Sequence, residues 1–305
     1  MNRTIINPYV ALIIGVMAVS ASAIFVKFSD APSGVIAFYR LLFSVLLMLP
    51  LFLVKYVKEL ALISKRDWIS AILAGVFLAF HFILWFESLN YTSVASSTVL
   101  VTLQPLFAFI GTFLFFKERF SLKAILCALS AIIGSVIISW GDFRVSGTAL
   151  YGDILALVAC ALVTAYLMFG QSVRKRISLI TYTFVVYSIS SMVLFIYVLL
   201  VGESLFPYPK NEWVNFFLLA LIPTLLGHSL FNWAIKWIST SIISMAILFE
   251  PVGATILAYY LLSENVLFTQ LIGGSIVIVG ILLFLVSERS GKQKESIKDD
   301  LKEIV

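Results

Sequence analysis

Two charged residues, Arg40 and Glu250, lie deep within apolar segments, where there is no water to hold them. Charges at bilayer depth are costly, so they face a cavity or a partner. In the functional reading Arg40 receives a carboxylate, while Glu250 receives an amine or a proton. Two other readings stand beside it: the pair neutralise each other, or Arg40 snorkels to the nearer surface and only anchors its helix. Pro251 follows Glu250 and removes a helix hydrogen bond, freeing a carbonyl one turn back. Gln104-Pro105 repeats the arrangement in neutral form, so Pro105 and Pro251 are both expected to kink their helices.

His81 and His228 lie mid-segment; they either relay protons or hydrogen-bond a neighbouring helix. Ser97 and its neighbouring hydroxyls either line a wet face or bond their own backbone. Trp85, Tyr39 and Trp233 either stack on a substrate or sit at headgroup level as anchors. A membrane enzyme would need paired acids, usually holding a metal. Asp30, Asp67, Asp142 and Asp153 are instead scattered over both interfaces, and only Glu250 is deep. No catalytic centre, metal or cofactor is therefore expected. A phosphate-binding GxxxxGK[ST] loop is also absent, so ATP does not drive the chain directly.

The elements that carry these residues are membrane helices. The chain is 61% hydrophobic and 12% charged, with a mean hydropathy of +1.07. That excludes a soluble domain, and continuous apolar runs exclude a closed barrel. Ten spans are predicted: Pro8 to Phe28, Ser33 to Val54, Trp68 to Ser88, Ser93 to Phe116 and Leu122 to Trp140 in the first half. Tyr151 to Gln171, Leu179 to Val201, Trp213 to Ile235, Ser239 to Leu262 and Val266 to Val286 follow in the second. Ala21-Ser22-Ala23 could mark a signal cleavage site, but the apolar run before it is long and reads as an uncleaved first helix. Cys127 and Cys160 fall inside spans and read as packing residues.

Placing the N-terminus inside puts 17 of the 21 Lys and Arg residues on the cytoplasmic side and leaves Lys27, Arg144 and Lys210 outside. This bias predicts a multi-pass protein of the cell membrane with both termini cytoplasmic. It also disposes of nucleic acid as the reason for the net charge of +5.

The two Pro motifs belong to a duplication. Gln104-Pro105 to Glu118 aligns with Glu250-Pro251 to Glu264 at an offset of 146, and Trp68 matches Trp213 after a one-residue adjustment. The copies are five spans apart, so they are inserted in opposite orientations. The expected architecture is all-α: ten transmembrane helices forming two five-helix inverted repeats around a central cavity. The halves are residues 1–141 and 142–288, followed by a polar cytoplasmic tail, 289–305, that is mobile or weakly helical. Glu118 and Glu264, at span ends, read as structural residues.

Together Phe38-Tyr39-Arg40, Trp85-Phe86-Glu87-Ser88-Leu89-Asn90-Tyr91, Leu103-Gln104-Pro105-Leu106, Lys117-Glu118-Arg119, Asn232-Trp233-Ala234-Ile235-Lys236, Leu248-Phe249-Glu250-Pro251-Val252, Ser263-Glu264-Asn265, Gly273 and Gly280 form a pattern. In these the chain resembles the EamA family of the drug/metabolite transporter superfamily. The resemblance implies a ten-helix carrier that exports amino acids or other small metabolites. Two departures stand out. The tryptophans that the family often has in spans one and six are replaced here by Ala21-Ser22-Ala23 and Val163-Thr164-Ala165. The first-span glutamate of the small four-helix multidrug exporters is absent, so their proton-antiport scheme does not carry over.

The expected function is secondary transport of an amino acid or small polar metabolite, most simply outward, by alternating access. Protons are a candidate coupling ion, lipid is the surroundings, and the chain is a monomer or weak homodimer. A facilitative uniporter or exchanger, a multidrug-type exporter and a lipid-modifying membrane enzyme are the alternatives.

Overall fold

The computed structural model describes residues 7–140, 147–263 and 266–303. Among these the chain is helical, with nine helices long and apolar enough to cross a membrane and a tenth, shorter one. In order they are α1 (Pro8–Lys27), α2 (Ser33–Leu62), α3 (Lys65–Ser88), α4 (Val94–Phe116), the short α5 (Leu122–Ile138), α6 (Thr148–Val173), α7 (Leu179–Val201), α8 (Lys210–Ala234), α9 (Thr240–Leu261) and α10 (Phe268–Ser287). The helix of α10 continues to Glu303. Glu264, the second of the repeated glutamates, lies outside the described residues.

The helix starts are written in short polar residues. The hydroxyls of Ser64, Ser93, Ser121 and Ser178 accept from the backbone N–H three residues on, capping α3, α4, α5 and α7. A cap of this kind satisfies an otherwise orphaned donor and contributes about 1 kcal/mol.

The duplication is visible in the backbone. α4 is broken between Val101 and Gln104, and α9 between Ile247 and Glu250. Each second segment begins on the polar residue before a proline. Each ends in a left-handed residue, Lys117 at φ 59° and Ser263 at φ 57°, again 146 positions apart. Ser241 on the first turn of α9 bonds Thr112 near the end of α4, so the two helices run antiparallel and Lys117 and Ser263 lie at opposite ends of the bundle.

Packing follows the same two-fold plan. α2 packs on α7, α4 on α9 and α5 on α10, each helix against its own counterpart. The extensive α3–α6 contact has its image in α8–α1. At the α5–α10 crossing a Cβ on Gly134 would come within 2.8 Å of the Gly273 carbonyl oxygen, so the backbones there touch.

Two local features adjust the plan. Ala220–His228 in α8 is wound as a π-helix around Pro223. A π turn takes in one extra residue, which accounts for the step from an offset of 145 at Trp68 and Trp213 to 146 at Gln104 and Glu250. The residues before those tryptophans, Asp67 and Glu212, form matching ties at opposite ends. Asp67 takes the guanidinium of Arg176 in the α6–α7 turn, at 3.1 Å from Nε. Glu212 accepts from the Asp30 backbone N–H at 2.8 Å and from the Ser29 hydroxyl in the α1–α2 turn.

Candidate functional site

At the breaks in α4 and α9 lies a small cavity of about 20 Å³. Three pairs of its walls match across the two halves, Gln104 with Glu250, Val101 with Ile247 and Trp85 with Phe231, and each half also adds a histidine, His81 and His228. α1 adds Val19 and Ser22, and α6 adds Val163 and Leu167. The structure thus gathers five of the residues singled out from sequence, Glu250, Gln104, His81, His228 and Trp85, around one void.

Polar atoms around this void are under-used by the protein. The indole Nε1 of Trp85, Oε1 of Gln104 and Nδ1 of His228 are buried without a protein hydrogen-bond partner. Glu250 is 7% exposed and has no cation within ion-pair distance among the described residues. Buried groups of this kind cost free energy unless something satisfies them. The cavity has room for about one water, which needs ~10–15 Å³. Drug-sized ligands occupy pockets of roughly 300 Å³ or more, so the void as it stands is too small for one. His81 differs from His228 in having a partner: its Nδ1 lies 3.0 Å from the Ala159 carbonyl oxygen, and its ring stacks on Trp85.

Arg40 is fully buried, which removes the snorkelling reading, and it makes no ion pair with Glu250. It stands just behind the cavity wall. Nη1 donates to Ser22 of the wall at 2.9 Å, and Nε donates to Thr224 at 2.6 Å. The guanidinium lies 4.1 Å from the ring centre of Phe82, a favourable place for a cation. Nη2 is buried and unpartnered. Thr224 sits in the π-helical stretch and donates to the Leu219 carbonyl five residues back, so the widened turn aims this acceptor at Arg40.

Three predicted residues are placed elsewhere. Tyr39 donates to the Leu205 carbonyl and stacks on Phe216 beside Trp213, at the Ser263 end. Trp233 lines an apolar lateral groove with Leu230 and Ile180. Ser97 is 2.5 Å from the Ser88 hydroxyl and serves the α3–α4 contact. Pro105 and Pro251 each stand in the first turn of the second segment of a broken helix.

Other polar residues were not singled out beforehand. Between the cavity and the Lys117 end, Asn232, one turn beyond His228, donates to the Tyr166 hydroxyl, and its own carbonyl accepts from Arg174 Nε at 2.8 Å. Burial pushes Arg174 down to about 10, against the opposing pull of Tyr182 and Glu59, so it stays charged at neutral pH. Gln171 in the last turn of α6 accepts at one oxygen from both the N–H (2.8 Å) and the hydroxyl (2.7 Å) of Thr240. Its Nε2 donates to Glu118 at 3.1 Å. The signal was present for Asn232, which lies inside a family motif, but Gln171 at a span end reads like any headgroup residue.

At the Ser263 end a crevice of about 60 Å³ opens between α1, α4, α9 and α10. Thr98, Pro251 and Lys27 are among its walls, and Lys27 donates to the Leu89 carbonyl at 3.1 Å. Among the described residues no group of three His, Cys, Asp or Glu is placed to hold a metal.

The profile of the EamA-like transporter family matches residues 7–140 and 150–286. An uncharacterized transporter of Archaeoglobus fulgidus is 23% identical over 273 residues, covering 90% of this chain and 94% of its own. The uncharacterized transporter YxxF of Bacillus subtilis is 23% identical over 285 residues, covering 93% and 90%. A solved crystal structure superposes with a TM-score of 0.74 at 17% identity, covering 92% of this chain and 98% of that one, and so shares its fold. The chain belongs to the EamA-like transporter family, whose members are multi-pass membrane proteins with small-molecule substrates.

Proposed function

We propose that the protein is a secondary carrier of the cell membrane that exports an amino acid or similar small polar metabolite by alternating access. Both termini lie in the cytoplasm, which puts Lys117 inside and Ser263 outside. The carrying observation is the cavity itself: a void at two matched helix breaks, walled in pairs by inverted halves, with an unpaired carboxylate and orphaned polar atoms around it. Inverted repeats with broken helices hold their substrate at such a midplane position.

In this reading Glu250 takes the amine of the substrate, or a proton when the site is empty. Gln104, Trp85 and His228 supply neutral hydrogen-bonding edges, and Ser22, backed by Arg40, faces the substrate carboxylate. The apolar walls Val101, Ile247 and Phe231 receive the side chain. Substrate enlarges the cavity by parting the halves.

The test is flux in proteoliposomes, with candidate amino acids and a pH gradient imposed in either direction. Glu250→Gln is expected to lower transport at least about tenfold, the scale of losing a charge-assisted contact. A variant with full rate and full pH dependence would rule out Glu250 as the coupling residue. Transport that responds to substrate gradients alone would identify a facilitative exchanger.

A further inference from the structure

The two ends of the α4–α9 seam are images of one another under the repeat, yet they are closed by different chemistry. At the Lys117 end, Thr112 bonds Ser241 at 2.9 Å, Ser241 donates to Glu118 at 3.2 Å, and Gln171 joins Glu118 to Thr240. Thr112, Thr240 and Ser241 are fully buried and Gln171 nearly so. Three of these bonds cross from the first half to the second. Subtracting or adding 146 gives the images of Thr240, Ser241 and Thr112: Val94, Ala95 and Ala258. All three line the 60 Å³ crevice at the other end. α1 brings Ile24 and Lys27 to that crevice, and the amide there, Gln270 of α10, accepts from the Leu267 N–H of its own half. One gate is therefore a hydrogen-bonded lock across the halves, and at its image three of the bonding side chains are replaced by apolar ones.

We infer that Gln171 is the bolt of a one-sided lock that holds the carrier closed at the Lys117 end when no substrate is bound. This rests on the carrier reading above, but it adds an inequality between the two access states that alternation alone does not require. Opening the Lys117 end breaks buried cross-half hydrogen bonds, which are expensive to leave unmade in a dry interior. Opening the Ser263 end breaks none of the corresponding bonds, because Val94, Ala95 and Ala258 carry no side-chain donor or acceptor there. Gln171 acts as a positioning residue: its one oxygen holds the first turn of α9 and its amide holds Glu118.

The inference is tested by side-specific thiol labelling in sealed vesicles. Val101→Cys places a reporter on the cavity wall, and Cys127 and Cys160 are buried. Lys117→Cys and Ser263→Cys identify the two faces independently. Adding Gln171→Leu is expected to raise labelling of Val101→Cys from the Lys117 face about tenfold and to lower it from the other face, following the shift in populations. A mirror variant, Val94→Thr with Ala95→Ser and Ile24→Gln, supplies the missing groups at the crevice and is expected to lower labelling from the Ser263 face. Labelling from the Lys117 face unchanged by Gln171→Leu, in protein that still transports, overturns the lock and leaves the carrier reading standing. Absence of flux in the parent protein counts against the carrier reading, whichever face labels.

Discussion

Gln104 and Glu250 occupy the same corner of the cavity in two copies of one helical unit, yet one is an amide and the other an acid. The same divergence recurs along the seam, where Thr240 and Ser241 answer to Val94 and Ala95, and across the cavity, where Trp85 answers to Phe231. It does not recur at the outer ties: Asp67 and Glu212 both remain acids and both hold the turn of the opposite half. Duplication has kept these outer ties and varied the side chains that line the cavity and the α4–α9 seam. A two-fold backbone with two-fold chemistry would have two equal access states. This chain has the first without the second.

The sharpest way to break that comparison is to exchange the two corners. Gln104→Glu with Glu250→Gln keeps the charge and composition but moves the acid to the other half, away from its native setting. Flux in the double variant is expected to stay within about threefold of the Glu250→Gln level rather than return to the parent's, since repositioned charges are not interchangeable in a desolvated site. Recovery to the parent rate would mean that the halves are chemically equivalent after all.

A smaller effect separates the two ties. Asp67→Asn and Glu212→Gln are each expected to lower thermal stability in detergent by about 1 kcal/mol, the net worth of a hydrogen bond to a charged or polar partner. Arg176 is half exposed while Asp67 is not, so the Asp67 tie contains a screened ion pair and should weaken between low and high salt. The Glu212 tie, made to a hydroxyl and an N–H, should respond less. Equal salt dependence of the two would contradict their different chemistry.

The smallest effect concerns Glu203, in the segment between α7 and α8. Burial raises its pKa, and repulsion from Glu87 raises it further. One of its carboxyl oxygens is buried and unpartnered. The folded state therefore holds the proton more tightly than the unfolded chain, and its stability from this group falls as pH rises above about 4.3. Glu203→Gln should remove that decline, raising the melting temperature at neutral pH and leaving it unchanged near pH 4. A variant less stable than the parent at pH 7 would show that the carboxylate has a partner there.

Much of the fold was legible because hydropathy is a sum over many residues. The ten spans, the 146-residue spacing and the kinks at Pro105 and Pro251 all follow from composition and local chemistry. The site was partly legible: a mid-span acid, an amide and two histidines converge because the repeat brings matched depths together. Tyr39, Trp233 and Ser97 went elsewhere because depth alone does not say which way a helix face turns. The role of Thr224 depends on a π-helical turn, and that of Gln171 on meeting the first turn of α9 from another helix. Neither relation has a local sequence pattern.

The contact of α5 with α10 carries a consequence for how such a molecule can move. The backbones meet at Gly134 and Gly273, with Ile276 and Ile138 packed against the same crossing, so sliding would collide peptide groups. In the proposed carrier that crossing is expected to act as a fixed axle. Rocking must then be taken up by the broken helices and by α1, α3, α6 and α8, and a pair of spin labels on α5 and α10 should report one unchanging distance throughout the transport cycle.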